Sequence, residues 1–81
     1  MIHLTLDGRD GMDAIHDRLA QALDFPSYYG RNLDALYDCL TETAEDVHLE
    51  LQNRDALGPK GAALDAALRD AAADNPHIHY N

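Results

Sequence analysis

The sequence predicts an α/β protein of two layers, a three-stranded parallel sheet with helices packed on one face. Three observations lead there. Residues 2–6, 47–51 and 77–80 alternate apolar and polar side chains, the period of a strand buried on one side. The segments between them carry apolar residues at helical spacing, so successive strands are joined by crossovers and run parallel. Because each strand alternates, the sheet has a single apolar face for the helices to cover.

In chain order, Ile2, Leu4 and Leu6 alternate with His3 and Thr5, and Asp7-Gly8-Arg9-Asp10-Gly11 breaks the strand. Asp10 is placed to cap a first helix that carries Met12, Ile15, Leu19, Ala22 and Leu23 on one face and ends before Phe25-Pro26. Asp13 and Asp17 sit near its start, where the helix dipole favours them. Pro26 fixes its own φ and moves Phe25 off helical values, Gly30 supplies a conformation closed to other residues, and Asn32 caps a helix beginning at Leu33. Two tyrosines, Tyr28 and Tyr29, are thereby delivered beside a helix N-terminus.

On this central helix Leu33, Leu36 and Leu40 form the buried stripe, with Tyr37 on its flank and Thr43 continuing it weakly. Asp34, Asp38, Glu42 and Glu45 fall elsewhere, within roughly 80° of arc at 100° per residue, and make one acidic ridge. No lysine or arginine lies in that helix. Asp34/Asp38 and Asp38/Glu42 are like charges four apart, each costing an isolated helix roughly 0.2–0.5 kcal/mol. Helix stability alone does not place them there. Beyond the second strand, Gln52, Asn53, Arg54 and Asp55 read as a loop, and Gly58-Pro59-Lys60-Gly61 opens a third helix with Leu64, Leu68 and Ala71 inward. Asn75-Pro76 ends it, and Ile78 and Tyr80 share one side of the last strand.

The length of 81 residues predicts one domain over residues 1–81, and 46% hydrophobic residues predict a packed core, built mostly from Leu, Ile and Ala because there are only four Tyr, one Phe and no Trp. Fifteen acidic against six basic residues give a net charge of -9, which repels nucleic acid and anionic lipid and attracts basic proteins. The single cysteine cannot form an internal disulfide, the N-terminal residues lack the pattern of a signal peptide, and no apolar run approaches membrane-spanning length. A cytoplasmic protein with neither nucleic acid nor membrane as partner is expected.

Chemistry-bearing residues elsewhere are few. His3, His48, His77 and His79 all take the polar phase of their strands and are predicted to share one exposed face with Thr5 and Glu50. Imidazoles so grouped can bind a transition metal or titrate near pH 6.5, and a merely solvated sheet face is the simpler reading. Cys39 lies among Asp38 and leucines, the setting of a buried small apolar residue and not of a nucleophile. Asp34 and Asp38 resemble the paired carboxylates of a hydrolase, but a domain of this size has little room for a concave site. No catalytic residue, metal site or cofactor is predicted.

Residues 26–40, Pro-x-Tyr-Tyr-Gly-x-Asn-Leu-Asp-Ala-Leu-x-Asp-Cys-Leu, resemble the barstar family, intracellular inhibitors of the ribonuclease barnase. Weaker likeness extends over the rest of the chain, and the loop before the third helix is too short for barstar's extra small helix. The resemblance implies a barstar-like fold and an inhibitor of antitoxin or immunity type whose acidic helix mimics RNA phosphate in the active site of a small basic, barnase-like ribonuclease. It implies a monomer when free and a one-to-one complex. Carried over by position, Asp38 inserts deepest, at the site of the scissile phosphate, and Asp34 holds a second basic contact. Tyr28 lies over the catalytic histidine while Tyr29 packs inward. Gly30 lets backbone approach, and Asn32 and Leu33 line the rim. Tyr37, Glu42, Glu45 and Asp70 complete the partner-binding set. Tyr37 and Thr43 stand where barstar has tryptophans, Asp70 where it has glutamate, and Arg31, replacing an acid, adds positive charge beside Asp34. Two other functions fit the same residues: an acidic adaptor for a basic partner that is not a nuclease, and a metal or pH sensor on the histidine face.

Overall fold

The computed structural model, which describes residues 1–80, has the predicted architecture. Strands β1 (Ile2–Asp7), β2 (Val47–Gln52) and β3 (Ile78–Tyr80) form a parallel sheet in the order β1-β2-β3. Helices α1 (Met12–Ala22), α2 (Leu33–Thr41) and α3 (Pro59–Asp74) make the crossovers. Leu4 pairs with Leu49 and Val47 with Ile78, so the three alternations fall into register. Leu4, Leu6, Val47, Leu49 and Ile78 turn to the helices and meet Ile15, Leu19, Leu36, Leu40, Leu64, Leu68 and Ala71 in one buried cluster. Each fully buried leucine contributes about 1.5–3 kcal/mol of transfer free energy, which holds the two layers together.

The joints differ from expectation. Asp10 does not cap α1: it ends a 3-10 turn, Gly8–Asp10, and Gly11 with φ 89° is the N-cap. Asp7 takes the capping role one turn earlier, accepting from the Arg9 backbone N–H at 2.9 Å and from its guanidinium. Those Arg9 bonds, with a further one from Asn53, hold the Asp7 carboxyl well below the usual range. Between β2 and α3 the expected loop contains a 3-10 turn, Arg54–Leu57, in place of a small α-helix. Gly61 is buried where this turn meets α3; a Cβ there would lie 2.3 Å from the Arg54 carbonyl oxygen. Close approach, rather than helix punctuation, requires that glycine.

His16 is an inward-facing residue of α1 that periodicity does not single out. It is 4% exposed, and a hydrogen bond of 2.6 Å joins its Nδ1 to the Tyr29 hydroxyl. Burial first, and the Arg31 charge next, lower its pKa from the ordinary 6.5. A histidine depressed by folding supports the native state while neutral, and that support is lost as pH falls below 6.5, where the unfolded chain binds protons that the native state resists. The urea midpoint is therefore expected to drop between about pH 7.5 and about pH 5.5, and to drop less in His16→Gln. Equal pH slopes in the two proteins would contradict this.

The outer face of the sheet carries the predicted histidines. His3, His48 and His79 are in register, with ring centroids 4.9 and 4.4 Å apart and nearly parallel planes. His77 precedes β3 instead of lying on it, and its Nδ1 is 3.0 Å from the Asp46 carboxylate. Burial and then the charges of His79 and His3 push the His48 pKa down. Among the described residues no group of three or more His, Cys, Asp or Glu is arranged to hold a metal ion, and no helix is long and apolar enough to cross a membrane.

Candidate partner-binding site

The turn before α2 separates the two tyrosines. Tyr29 N–H donates to the Pro26 carbonyl at 2.9 Å, which closes a turn and leaves Tyr28 outermost, 82% exposed. Tyr29 points the other way, against the Phe25 ring at 4.9 Å and the His16 imidazole, and burial pushes its hydroxyl up to about 12. An exposed tyrosine on an anchored turn offers contact area at little entropic cost.

Gly30 does not carry the unusual backbone. The positive φ in this turn belongs to Arg31, at 54°. Gly30 instead leaves room for the cap: a Cβ there would come within 3.1 Å of Asn32 Nδ2. Arg31 is also not turned to Asp34 as expected. Its guanidinium bonds to the Asp17 carboxylate and to the Asp13 carbonyl oxygen at 3.1 Å, strapping the turn to α1. Asn32 Oδ1 accepts from Ala35 N–H at 2.8 Å, an N-cap contribution of about 1 kcal/mol.

Asp34 and Asp38 stand exposed on α2, with Asp34 in its first turn, and Leu33 packs partly into the core. The helix is shorter than the ridge read from the sequence. It ends at Thr41, Glu42 is its C-cap, and Glu45 lies beyond it, so the four acids do not share one helical face. The cause is Asn75, whose side-chain amide donates to the carbonyls of Leu40 at 2.8 Å and Thr43 at 2.8 Å and closes the helix end. Thr43 does not extend the stripe; its hydroxyl donates to the Cys39 carbonyl at 2.9 Å.

The ridge gains acids from α3 instead. Tyr37 donates its hydroxyl to Asp74, and that bond, then burial, then the charges of Asp74, Asp70 and Asp38 raise the phenol's pKa. Asp38 of α2 thus shares one negative neighbourhood with Asp70, which the resemblance places there, and with Asp74, which it does not. The four-residue repeat Asp70/Asp74, like that of Asp34/Asp38, is the signal in the sequence that points to it. Cys39 is half-buried rather than fully buried, and burial, Glu42 and Asp38 push its thiol up, so it is no thiolate nucleophile.

Among the described residues, Asp34, Asp38, Glu42, Glu45, Asp70 and Asp74 form no ion pair with a lysine or arginine. Arg9, Arg31, Arg54 and Arg69 pair with Asp7, Asp13, Asp17 and Asp65. A pocket of about 500 Å³ beside Arg9, Arg54, Arg69 and Tyr80 collects cations, but Asp7 and Asp65 already bind those guanidiniums. That network is structural, and the acidic face is left outward and uncompensated.

The family model described as "Barstar (barnase inhibitor)" matches residues 1–78. The chain belongs to the barstar family. A curated protein of Bacillus subtilis (strain 168), "Putative ribonuclease inhibitor YrdF", is 58% identical over 43 residues, 51% of this chain and 47% of that protein. The chain thus aligns with about half the length of that relative. Within this barstar-family chain the residues chosen from the sequence do not all play one part. Tyr28, Asp34, Asp38, Glu42, Glu45 and Asp70 are exposed, whereas Leu33 and Tyr37 are half-buried and help seat α2.

Proposed function

We propose that this protein inhibits a small basic ribonuclease of the barnase type by placing α2 and its acidic neighbours in the enzyme's active-site cleft. The observation that carries this reading is the set of exposed carboxylates, led by Asp34 and Asp38, that no lysine or arginine among the described residues pairs with. A ribonuclease cleft is cationic because it binds phosphate, so a rigid carboxylate-bearing helix can occupy phosphate positions. The mutual repulsion of Asp34, Asp38 and Glu42 is relieved when an enzyme's cations meet them.

In this arrangement Asp38 takes the scissile-phosphate position and Asp34 a second cation at the dipole-favoured helix start. Tyr28 covers the catalytic imidazole, with Gly30, Asn32 and Leu33 at the rim. Tyr37, held by Asp74, fixes the α2–α3 seam where Asp70 adds an outlying contact. The chain contributes no chemistry of its own; it is an inhibitor, not an enzyme.

Titration into a barnase-type ribonuclease assay tests this. Activity is expected to fall linearly to zero at one-to-one stoichiometry. Association is expected to slow as salt shortens the Debye length from about 10 Å at 0.1 M to about 3 Å at 1 M. Full residual activity with excess protein, or association indifferent to salt, would defeat the proposal.

A further inference from the structure

Beside the acidic face lies a recess of about 400 Å³, between the end of α1, the turn at Phe25 and Pro26, and the end of α2. Leu23, Phe25 and Cys39, each partly buried, supply its apolar wall, and the exposed Asp24, Glu42 and Glu45 stand around its mouth. Local structure keeps it open. Asp24 turns the chain with φ 54°, Phe25 N–H returns to the Ala20 carbonyl at 3.0 Å, and Thr43 is held to the helix end by its bond to Cys39. The Cys39 thiol stays protonated, pushed up by burial and by the Glu42 and Asp38 charges, so the wall remains apolar.

Among the described residues no lysine or arginine pairs with Asp24, Glu42 or Glu45. An apolar wall under three unanswered carboxylates matches the two-part chemistry of arginine and lysine, whose methylene stems cover apolar surface while the charged head seeks carboxylate and water. A wholly apolar side chain would desolvate the acids without pairing them, and an anion would be repelled.

We propose that this recess receives one arginine or lysine side chain of the protein's partner, stem against Leu23, Phe25 and Cys39 and head among Asp24, Glu42 and Glu45. The proposal rests on the inhibitor reading for the partner's class, and it adds a cation socket outside the phosphate-mimicking contacts of Asp34 and Asp38.

n-Butylguanidinium reproduces such a side chain, and n-butylurea is its uncharged counterpart. Titrating labelled protein with n-butylguanidinium is expected to shift the amide signals of Leu23, Asp24, Phe25, Glu42 and Glu45 saturably. It is also expected to slow maleimide labelling of Cys39 by about twofold or more, a direct reading of thiol access. n-Butylurea should do neither, and Glu42→Gln/Glu45→Gln should lose both effects while melting as the parent does. Shifts confined to Asp34 and Asp38, an equal response to n-butylurea, or no saturable shift would overturn the proposal. Since no ribonuclease enters this experiment, its failure and a failure to inhibit a ribonuclease are separate results.

Discussion

Replacing Asp38 with alanine is expected to cost most of the affinity for a barnase-type ribonuclease while leaving the fold intact and slightly more stable. Truncating one member of a buried, hydrogen-bonded charge pair at an interface costs about 2–5 kcal/mol, roughly 30-fold to several thousand-fold in Kd. For barnase and barstar themselves, close charge pairs couple by about 1.5–7 kcal/mol, a range that belongs to that pair of proteins and not to this chain. Stability moves the other way. Asp38 has Asp34 and Glu42 at four-residue spacing, so its removal relieves two repulsions of about 0.2–0.5 kcal/mol each, and alanine is the better helix former. Calorimetric titration and a thermal melt of the same variant read both signs. Undiminished affinity, or a variant that loses binding only because it unfolds, would count against the assignment.

Asn75→Ala is expected to be the most damaging single change to the scaffold among the polar residues. Asn75 is 4% exposed; its amide donates to the Leu40 and Thr43 carbonyls, both at 2.8 Å, and to that of Thr41 at 3.3 Å. Its Oδ1 accepts from His77 N–H at 3.0 Å, just before β3. One side chain therefore joins the ends of α2 and α3 to the start of the last strand. Alanine removes all of these bonds at once: the Leu40 carbonyl keeps the Thr43 N–H at 3.2 Å, but the Thr43 carbonyl and the His77 N–H lose Asn75 as partner, at an expected cost of about 2–4 kcal/mol, a large part of the roughly 5–15 kcal/mol typical of a domain. Asn75→Asp should do no better, since it trades the donor for a carboxylate facing carbonyl oxygens. An unfolding free energy from urea titration within about 1 kcal/mol of the parent's would show that water or relaxation replaces these bonds.

What the sequence disclosed and what it concealed divide along the reach of the interactions. Strand alternation, the leucine stripe of α2 and the Asn32 cap depend on neighbours a few residues away, and each was legible. The core-facing Leu36, Leu40, Leu64 and Leu68 followed directly from spacing. His16 stayed hidden because a polar residue on an apolar face shows its purpose only against Tyr29, thirteen positions on. Asn75 read as a helix stop, and its grip on the end of α2, which cuts the acidic ridge short at Thr41, spans more than thirty residues. Local competition also misled. Asp7 took the Arg9 backbone before Asp10 could cap α1, and Arg31 took the left-handed conformation expected of Gly30. Of the proposed binding face, the α2 acids were visible as a pattern, while Asp74 joins them only through Tyr37.

In the proposed mode of inhibition this molecule's carboxylates stand where RNA phosphates would stand in a ribonuclease. Competition measures it most directly. A catalytically inactive barnase-type ribonuclease is titrated with the protein at rising concentrations of a short RNA oligonucleotide. The apparent Kd should rise linearly with oligonucleotide concentration, with no ternary complex. A Kd that stays constant while RNA remains bound would place the contact outside the cleft and contradict the account.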